Sequence, residues 1–119
     1  MRKFFKSFKF AMAGIIHCFT TERNFKIHVS VAITVICAGL LTGLSLFEWF
    51  VIIVFIGGVL ALELMNSAVE RMVDLFTNEW HPLAKQAKDL AAGAVLVFAL
   101  TSAIVGLLIF IPKWFSLTN

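Results

Sequence analysis

Three long stretches of the chain are almost free of charged residues. Residues 29–47 and 90–111 carry no charge, and residues 49–69 carry a single one, Glu63. A helix needs about 20 mainly apolar residues to cross the hydrocarbon core of a bilayer. The pattern therefore predicts three transmembrane helices, which we place at about 28–47, 49–70 and 90–111.

The segment before the first span has a different pattern, in which apolar and basic positions are interleaved at helical spacing. Apolar residues recur every three or four positions, with lysines available for the other side: Phe4, Phe8, Met12, Ile15 and Phe19, with Lys3, Lys6 and Lys9. Such helices lie on anionic membrane surfaces. We predict an amphipathic surface helix at about residues 3–20, which can serve as an anchor without any chemistry. A polar break at residues 20–24 follows it.

The composition agrees with a chain that is largely surrounded by lipid. Of the 119 residues, 61% are hydrophobic and 14% charged, and the mean hydropathy is +0.96. A water-soluble domain of this size needs more charge to cover its surface. We predict an all-α integral membrane protein, with residues 1–119 as a single domain, because no linker or internal repeat interrupts the chain. Cys18 and Cys37 give no metal-ligand spacing, and we expect no disulfide between them.

The basic residues are distributed unequally between the two sides of the predicted spans. Nine precede the first span or lie between the second and third, and Lys113 alone follows the third. Short loops rich in Lys and Arg remain in the cytoplasm. We therefore predict a cytoplasmic N-terminus and a cytoplasmic segment at residues 70–89, in a protein of the plasma membrane. The net charge of +3 is explained by topology, and we expect no nucleic-acid partner.

Polar residues of the second span fall on one face. At 100° per residue, Glu63, Asn66, Glu70 and Asp74 lie within an arc of roughly 80°, and Glu63 is about 10 Å deeper than Glu70. Acids inside a membrane are functional candidates by default. A metal–nucleotide complex could dock at Glu70 while a lipid alcohol presents its hydroxyl near Glu63. The alternative is a polar seam that only joins helices.

The segment between the second and third spans contains further candidates. Lys88 and Asp89 could contact nucleotide phosphates or adenosine, or Lys88 could simply extend to the membrane interface. His81 on its own is more often a capping or packing residue. Glu22 could fold back towards Glu70 and complete an oxygen-rich site of the kind that Mg²⁺ prefers. No Gly-rich phosphate loop exists, so any nucleotide site must be built from helix side chains.

Two motifs in this region resemble a known family. Residues 63–74 read ELMNSAVERMVD, and HPL at 81–83 precedes AKDLAAGAV at 87–95. This combination closely resembles the signature of the bacterial diacylglycerol kinases, and the resemblance covers essentially the whole chain. Residues 22–28, ERNFKIH, resemble the Gram-positive branch, whose members are undecaprenol kinases.

The resemblance implies a fold and a set of site residues. The fold is a surface helix plus three transmembrane helices, assembled as a homotrimeric bundle with active sites between protomers. Glu63 matches the proton acceptor, and Glu22 and Glu70 match ligands of Mg²⁺. Asn66 lines the same site, to which we add Asp74 from the face that they share. The positions that correspond to ATP contacts are Phe10, Glu22, Glu70, Glu79, Trp80, His81, Lys88 and Asp89. Some relatives have Tyr at position 10, and Phe10 lacks that hydroxyl.

The implied reaction is the ATP- and Mg²⁺-dependent phosphorylation of a membrane lipid alcohol. We expect undecaprenol as the substrate, with diacylglycerol as the alternative. A small multidrug transporter also has a membrane carboxylate, but it needs four spans and carries its acid in the first. A non-catalytic membrane subunit explains the hydrophobicity but not the polar face of the second span. Because the first and third spans carry no charge, we expect partners for that face from the cytoplasmic ends, Glu22 and Lys88, and from a neighbouring chain.

Overall fold

The computed structural model describes residues 1–116, which form four helices in sequence order. They are α1 (Arg2–Thr21), α2 (Arg23–Thr42), α3 (Leu46–Phe76) and α4 (Pro82–Ser116). Within the described residues, α2, α3 and α4 are long and apolar enough to cross a membrane. The protein is therefore all-helical with three apolar helices, which indicates a multi-pass membrane protein.

A single residue separates α1 from α2. Glu22 has extended backbone angles (φ −104°, ψ 116°), and its N–H donates to the carbonyl oxygen of Cys18 at 2.8 Å. The predicted polar break was five residues long. Thr20 and Thr21 instead remain helical, and their hydroxyls donate to the carbonyl oxygen of His17. Helix α2 already begins at Arg23.

The turn between α2 and α3 is short and lies earlier than predicted. Helix α2 ends at Thr42, before residue 47, because Gly43 adopts a left-handed conformation (φ 80°) that caps it. Helix α3 begins at Leu46, before residue 49, because Ser45 and Glu48 form a capping box. The Ser45 hydroxyl accepts from the N–H of Glu48, and the Glu48 carboxylate accepts from the N–H of Ser45. This reciprocal pair stabilises the first turn of a helix.

Helices α3 and α4 make the most extensive contacts with each other. They contain 31 and 35 residues, so both are longer than the roughly 30 Å of a hydrocarbon core. The continuation of α3 beyond the second span was predicted, and the helix runs to Phe76. The ring of Phe98 lies so close to Gly58 that a Cβ atom there would overlap it. Any larger residue at position 58 would therefore force the Phe98 ring to move.

Polar contacts join the helices at both ends of the bundle. At the end formed by the α2–α3 turn, Lys113 Nζ lies 2.9 Å from Glu48 Oε1. The indole N–H of Trp114 donates to the Thr42 hydroxyl at 2.9 Å. The opposite end contains the α1–α2 junction and the α3–α4 turn. It is there that the polar residues predicted to form the site lie.

Large apolar side chains cover the outer surface of the chain. Leu41 and Leu108 are exposed, as are most apolar residues of α1 up to Ile16. The part of α1 near its end is held to the bundle by Cys18, which is 2% exposed and lies 3.5 Å from the Ser67 hydroxyl. An apolar surface of this extent is typical of a protein surrounded by lipid or by further copies of itself.

Candidate active site

Helix α3 carries its polar residues from a buried position outwards towards the end of the helix. Glu63 is 4% exposed and Asn66 is also buried, whereas Glu70 is half-buried and Asp74 is exposed. Because α3 is continuous from Leu46 to Phe76, these residues share one rigid element. Their separations along the axis are therefore those of a regular helix, about 10 Å from Glu63 to Glu70.

The partner of Glu63 is a residue of α2 that was not among the predicted site residues. His28 Nε2 lies 3.1 Å from Glu63 Oε1, and the side chains are 24% and 5% exposed, respectively. Partners for the acids of this face were expected from Glu22, Lys88 and a neighbouring chain; Lys88 does pair with Asp74, but Glu63 has a partner on α2 that was not expected. His28 directly precedes the first uncharged stretch, which begins at residue 29. A histidine at that boundary could have marked His28 as a candidate, although not Glu63 as its partner.

One turn further along α3, Asn66 and Glu70 form a second pair. The Asn66 amide donates to Glu70 Oε1 at 3.4 Å. Within residues 1–116, the buried Oδ1 atom of Asn66 has no hydrogen-bond partner. A buried acceptor of this kind is costly unless it meets a donor or a cation. It is thus an open position for a ligand beside a carboxylate.

Glu22 reaches the same end of α3, where it meets a residue that was not predicted. Arg71 Nη2 lies 3.4 Å from Glu22 Oε1 and donates to the Thr21 hydroxyl at 3.3 Å. Arg71 directly follows Glu70 on α3, so Glu22 is brought to the level of Glu70. No group of three or more His, Cys, Asp or Glu side chains able to hold a metal occurs in the described part of the chain.

A polar pocket of about 360 Å³ lies between the ends of α3 and α4. Its lining includes most of the residues predicted to contact ATP, together with Asp74: Asp74, Glu79, Trp80, His81, Lys88 and Asp89. Two ion pairs border it, Lys88 Nζ to Asp74 Oδ1 and Lys85 Nζ to Asp89 Oδ2, each at 2.6 Å. This polar pocket offers cations, carboxylates and an exposed indole at one opening.

His81 and Phe10 have different surroundings. The Nδ1 atom of His81 accepts a hydrogen bond from the N–H of Leu83 at 3.1 Å, in the first turn of α4. His81 therefore caps this helix and also lines the polar pocket. Phe10 lies on α1 with 70% of its surface exposed and lines neither the polar pocket nor the groove described next. The structure does not bring Phe10 together with the other candidates.

An apolar groove of about 470 Å³ lies between α2, α3 and α4. His28 lies at one end of it, and Phe110 and Ile52 lie towards the other. On α3, its lining ends at Leu60, three residues before Glu63. The groove therefore leads along the inside of the apolar helices towards the pair of His28 and Glu63.

These features together define a class of protein. A multi-pass membrane protein with a buried carboxylate between an apolar groove and a charged pocket resembles an enzyme that acts on lipids. The model of the prokaryotic diacylglycerol kinase family matches residues 9–110. The chain belongs to this family and is a lipid kinase, an enzyme that carries out ATP-dependent phosphoryl transfer. A small multidrug transporter and a non-catalytic subunit are thereby excluded.

The individual relatives include both an undecaprenol kinase and diacylglycerol kinases. An undecaprenol kinase of Bacillus subtilis is 54% identical over 113 residues, which cover 95% of this chain and 92% of that protein. A diacylglycerol kinase of Synechocystis is 43% identical over 93% of this chain, but the matched part is only 64% of its length. A diacylglycerol kinase of Escherichia coli is 39% identical over 46 residues, or 39% of this chain and 38% of that protein.

Proposed function

We propose that this lipid kinase transfers the γ-phosphate of ATP to the hydroxyl group of undecaprenol, with Mg²⁺, at the end of the bundle that carries Glu63, Glu70 and Lys88. The observation that carries the proposal is the order of features along α3. The apolar groove ends near Glu63, the buried carboxylate comes next, and the polar pocket begins near Asp74. A lipid alcohol and a nucleotide can thus approach from opposite directions.

The lipid side of the site supports Glu63 as the proton acceptor. Its side chain is 5% exposed, so the hydroxyl group of a lipid could approach it without crossing water. On this proposal, the hydroxyl proton passes to the carboxylate while the oxygen forms a bond to the γ-phosphorus. The bond from that phosphorus to the bridging oxygen breaks, and ADP leaves. General-base help of this kind contributes about 10²- to 10⁴-fold to a rate.

The nucleotide side of the site is the polar pocket. Trp80 offers an exposed aromatic face, and Lys88 brings a cation next to Asp74. Phosphoryl transfer asks the protein mainly to position the reactants and to neutralise charge on the transferred group. We assign Lys88 to the phosphates, and Glu79, Trp80, His81 and Asp89 to the rest of the nucleotide.

The residues around Glu70 fit a hard cation. The unpartnered Oδ1 of Asn66 and the half-buried carboxylate of Glu70 are neighbours, and Glu22 lies within 3.4 Å of the next residue, Arg71. Mg²⁺ is usually held by one or two carboxylates together with water and phosphate oxygens. Glu22 and Glu70 would hold Mg²⁺, which neutralises phosphate charge when bound. Arg71 would keep Glu22 close to the site.

We further propose a homotrimer with active sites shared between chains. The outer apolar surface is extensive, and Gly57 and Gly93 have no atom of other elements within 4 Å of the position where a Cβ would stand. Small residues of this kind let a second helix approach closely within a membrane. The shared site would include carboxylates of one chain and polar-pocket residues of another.

The distribution of basic residues supports an orientation in the plasma membrane. Arg71, Lys85 and Lys88 lie at the same end of the bundle as the α1–α2 junction, whereas Lys113 lies at the other end. Basic ends are retained in the cytoplasm. The N-terminus and the active site would then face the cytoplasm, where ATP is available, with α1 as an amphipathic helix on the membrane surface.

The choice of lipid rests on the relatives. The undecaprenol kinase matches along 92% of its length at 54% identity, and the Synechocystis diacylglycerol kinase matches along 64% at 43%. The test gives the purified protein Mg²⁺ and γ-labelled ATP with undecaprenol and diacylglycerol in one detergent mixture. Faster formation of undecaprenyl phosphate supports the proposal, and a preference for phosphatidic acid identifies a diacylglycerol kinase. No lipid product from either would overturn both assignments.

A further inference from the structure

The side chain of His28 belongs to two features at once. Its Nε2 atom lies 3.1 Å from Glu63 Oε1, and its ring also lines the end of the apolar groove. Within the described residues, no other basic side chain lies within 4 Å of the Glu63 carboxylate. An imidazole therefore stands between the hydrocarbon-lined space and the buried acid.

The chemistry of the pair fixes which atom donates. An ionised carboxylate only accepts hydrogen bonds, so the imidazole nitrogen that faces it carries the hydrogen. In many active sites, the general base is itself oriented by a hydrogen bond from a third group. With Oε1 occupied by His28, the second oxygen of Glu63 remains for the proton of a substrate.

We propose that His28 is a positioning residue for lipid phosphorylation. Its Nε2–H group holds Oε1 of Glu63, and its ring forms the head of the apolar groove, so that the lipid hydroxyl passes His28 and meets the second carboxylate oxygen. The inference rests on the proposed function, because it assumes that Glu63 is the proton acceptor. His28 itself exchanges no proton in this step.

The size of the effect follows from geometry. A misplacement of about 1 Å between reacting groups can reduce a rate by about 10²-fold. Loss of the Nε2 donor frees the Glu63 side chain to rotate about its own bonds, whereas the helices that carry both residues keep their apolar contacts. We therefore expect a fall of roughly 100-fold in kcat, with the KM for ATP unchanged, because the polar pocket lies further along α3.

Three variants at this position separate positioning from a structural role. The amide nitrogen of His28→Gln can reach the place of Nε2, that of His28→Asn reaches only the place of Nδ1, and His28→Leu has no donor. We expect His28→Gln to keep most of the wild-type kcat, and His28→Asn and His28→Leu to lose it. His17→Leu is the matched control, because His17 is an exposed histidine of α1.

The experiment measures kcat and both KM values with undecaprenol in detergent, together with the melting temperature of each variant. Comparable kcat for His28→Gln and His28→Asn, whether high or low, would overturn the inference. The inference would also be overturned if His28→Asn had the wild-type kcat and His28→Leu lost activity only because its melting temperature fell. If His28→Leu does not fold, the comparison of Gln with Asn decides. Failure of the proposed function is seen separately, as a wild-type protein that phosphorylates no lipid, or as a Glu63→Gln variant with normal turnover.

Discussion

Lys88 Nζ lies 2.6 Å from Asp74 Oδ1, so a cation of α4 and a carboxylate of α3 meet across the turn at residues 77–81. The two side chains are 40% and 59% exposed. Ion pairs exposed to this extent contribute only about 0–1 kcal/mol to stability. The pair therefore adds little to the stability of the fold, and its two charges are accessible at the polar pocket.

The first prediction concerns this lysine. Lys88→Met should lower kcat/KM for ATP by about 10²-fold, because a preorganised charge near the transferred phosphate is lost. Its melting temperature should change little. Lys113→Met is the control, since Lys113 pairs with Glu48 at the opposite end of the bundle and should keep normal kinetics. Equal kcat/KM in the two variants would remove Lys88 from the nucleotide site.

The second prediction concerns the proton acceptor. Glu63→Gln keeps the size of the side chain but removes the base, so lipid phosphorylation should fall by at least about 10²-fold. Binding of a fluorescent ATP analogue should persist, because the polar pocket is untouched. Glu48→Gln serves as the control, since glutamine also completes a capping box. Turnover near the wild-type level in Glu63→Gln would exclude Glu63 from the mechanism.

The third prediction concerns the metal. Glu22→Gln and Glu70→Gln should each raise the Mg²⁺ concentration for half-maximal activity by roughly tenfold or more, as expected when support for a metal is lost. High Mg²⁺ should restore part of the rate in both. Activity titrated with Mg²⁺ at fixed ATP provides the measurement, with Glu63→Gln as the variant that metal does not rescue. An unchanged Mg²⁺ dependence in both ligand variants contradicts the assigned site.

The fourth prediction tests whether the sites are shared between chains. Glu63→Gln, a carboxylate variant, and Lys88→Met, a variant of the polar pocket, are each expected to be impaired, and we expect mixed oligomers of the two to recover part of the activity. In a mixed oligomer, some sites would combine one intact residue from each of the two chains and so contain neither substitution. Two different affinity tags allow mixed oligomers to be isolated before the assay. If verified mixed oligomers are no more active than the two pure variants, each chain carries its own complete site.

The fifth prediction concerns packing of α3 on α4. Gly58→Ala places a methyl group where the Phe98 ring lies, and forced overpacking costs about 1–3 kcal/mol. Its melting temperature in detergent should therefore fall. Gly14→Ala is the matched control, because nothing lies within 4 Å of a Cβ at Gly14. There, the better helix propensity of alanine adds about 0.5–1 kcal/mol. A Gly58→Ala variant as stable as Gly14→Ala would contradict the packing.

The number and order of the helices could be predicted from hydrophobic periodicity, because charge is excluded from a lipid-facing span. The polar face of α3 followed from the helical repeat alone. The end of α2 and the start of α3 were predicted too late in the chain, because apolar residues continue through the turn. In the structure, Gly43 ends α2, and the capping box of Ser45 and Glu48 begins α3. Local capping interactions decide those boundaries, and the pattern of hydrophobic residues does not reveal them.

The pairing of His28 with Glu63 and of Arg71 with Glu22 could not be predicted from the sequence. Each joins residues of different elements, and their contact depends on the rotation of two helices about their axes. Periodicity gives the face of one helix but not the face of its neighbour that meets it. For the same reason, the place of Phe98 against Gly58 followed only from the packed structure.

The junction at Glu22 has a mechanical consequence. Helix α1 has 20 residues and is therefore about 30 Å long, yet its only buried side chain is that of Cys18, near its end. Helix α1 is therefore held to the rest of the protein mainly near its end, next to Glu22. A tilt of α1 about this junction would displace its first turn much further than its last, because the displacement grows with distance along the helix. With one residue between α1 and α2, the direction of α1 and the position of the Glu22 carboxylate depend on the same pair of backbone angles.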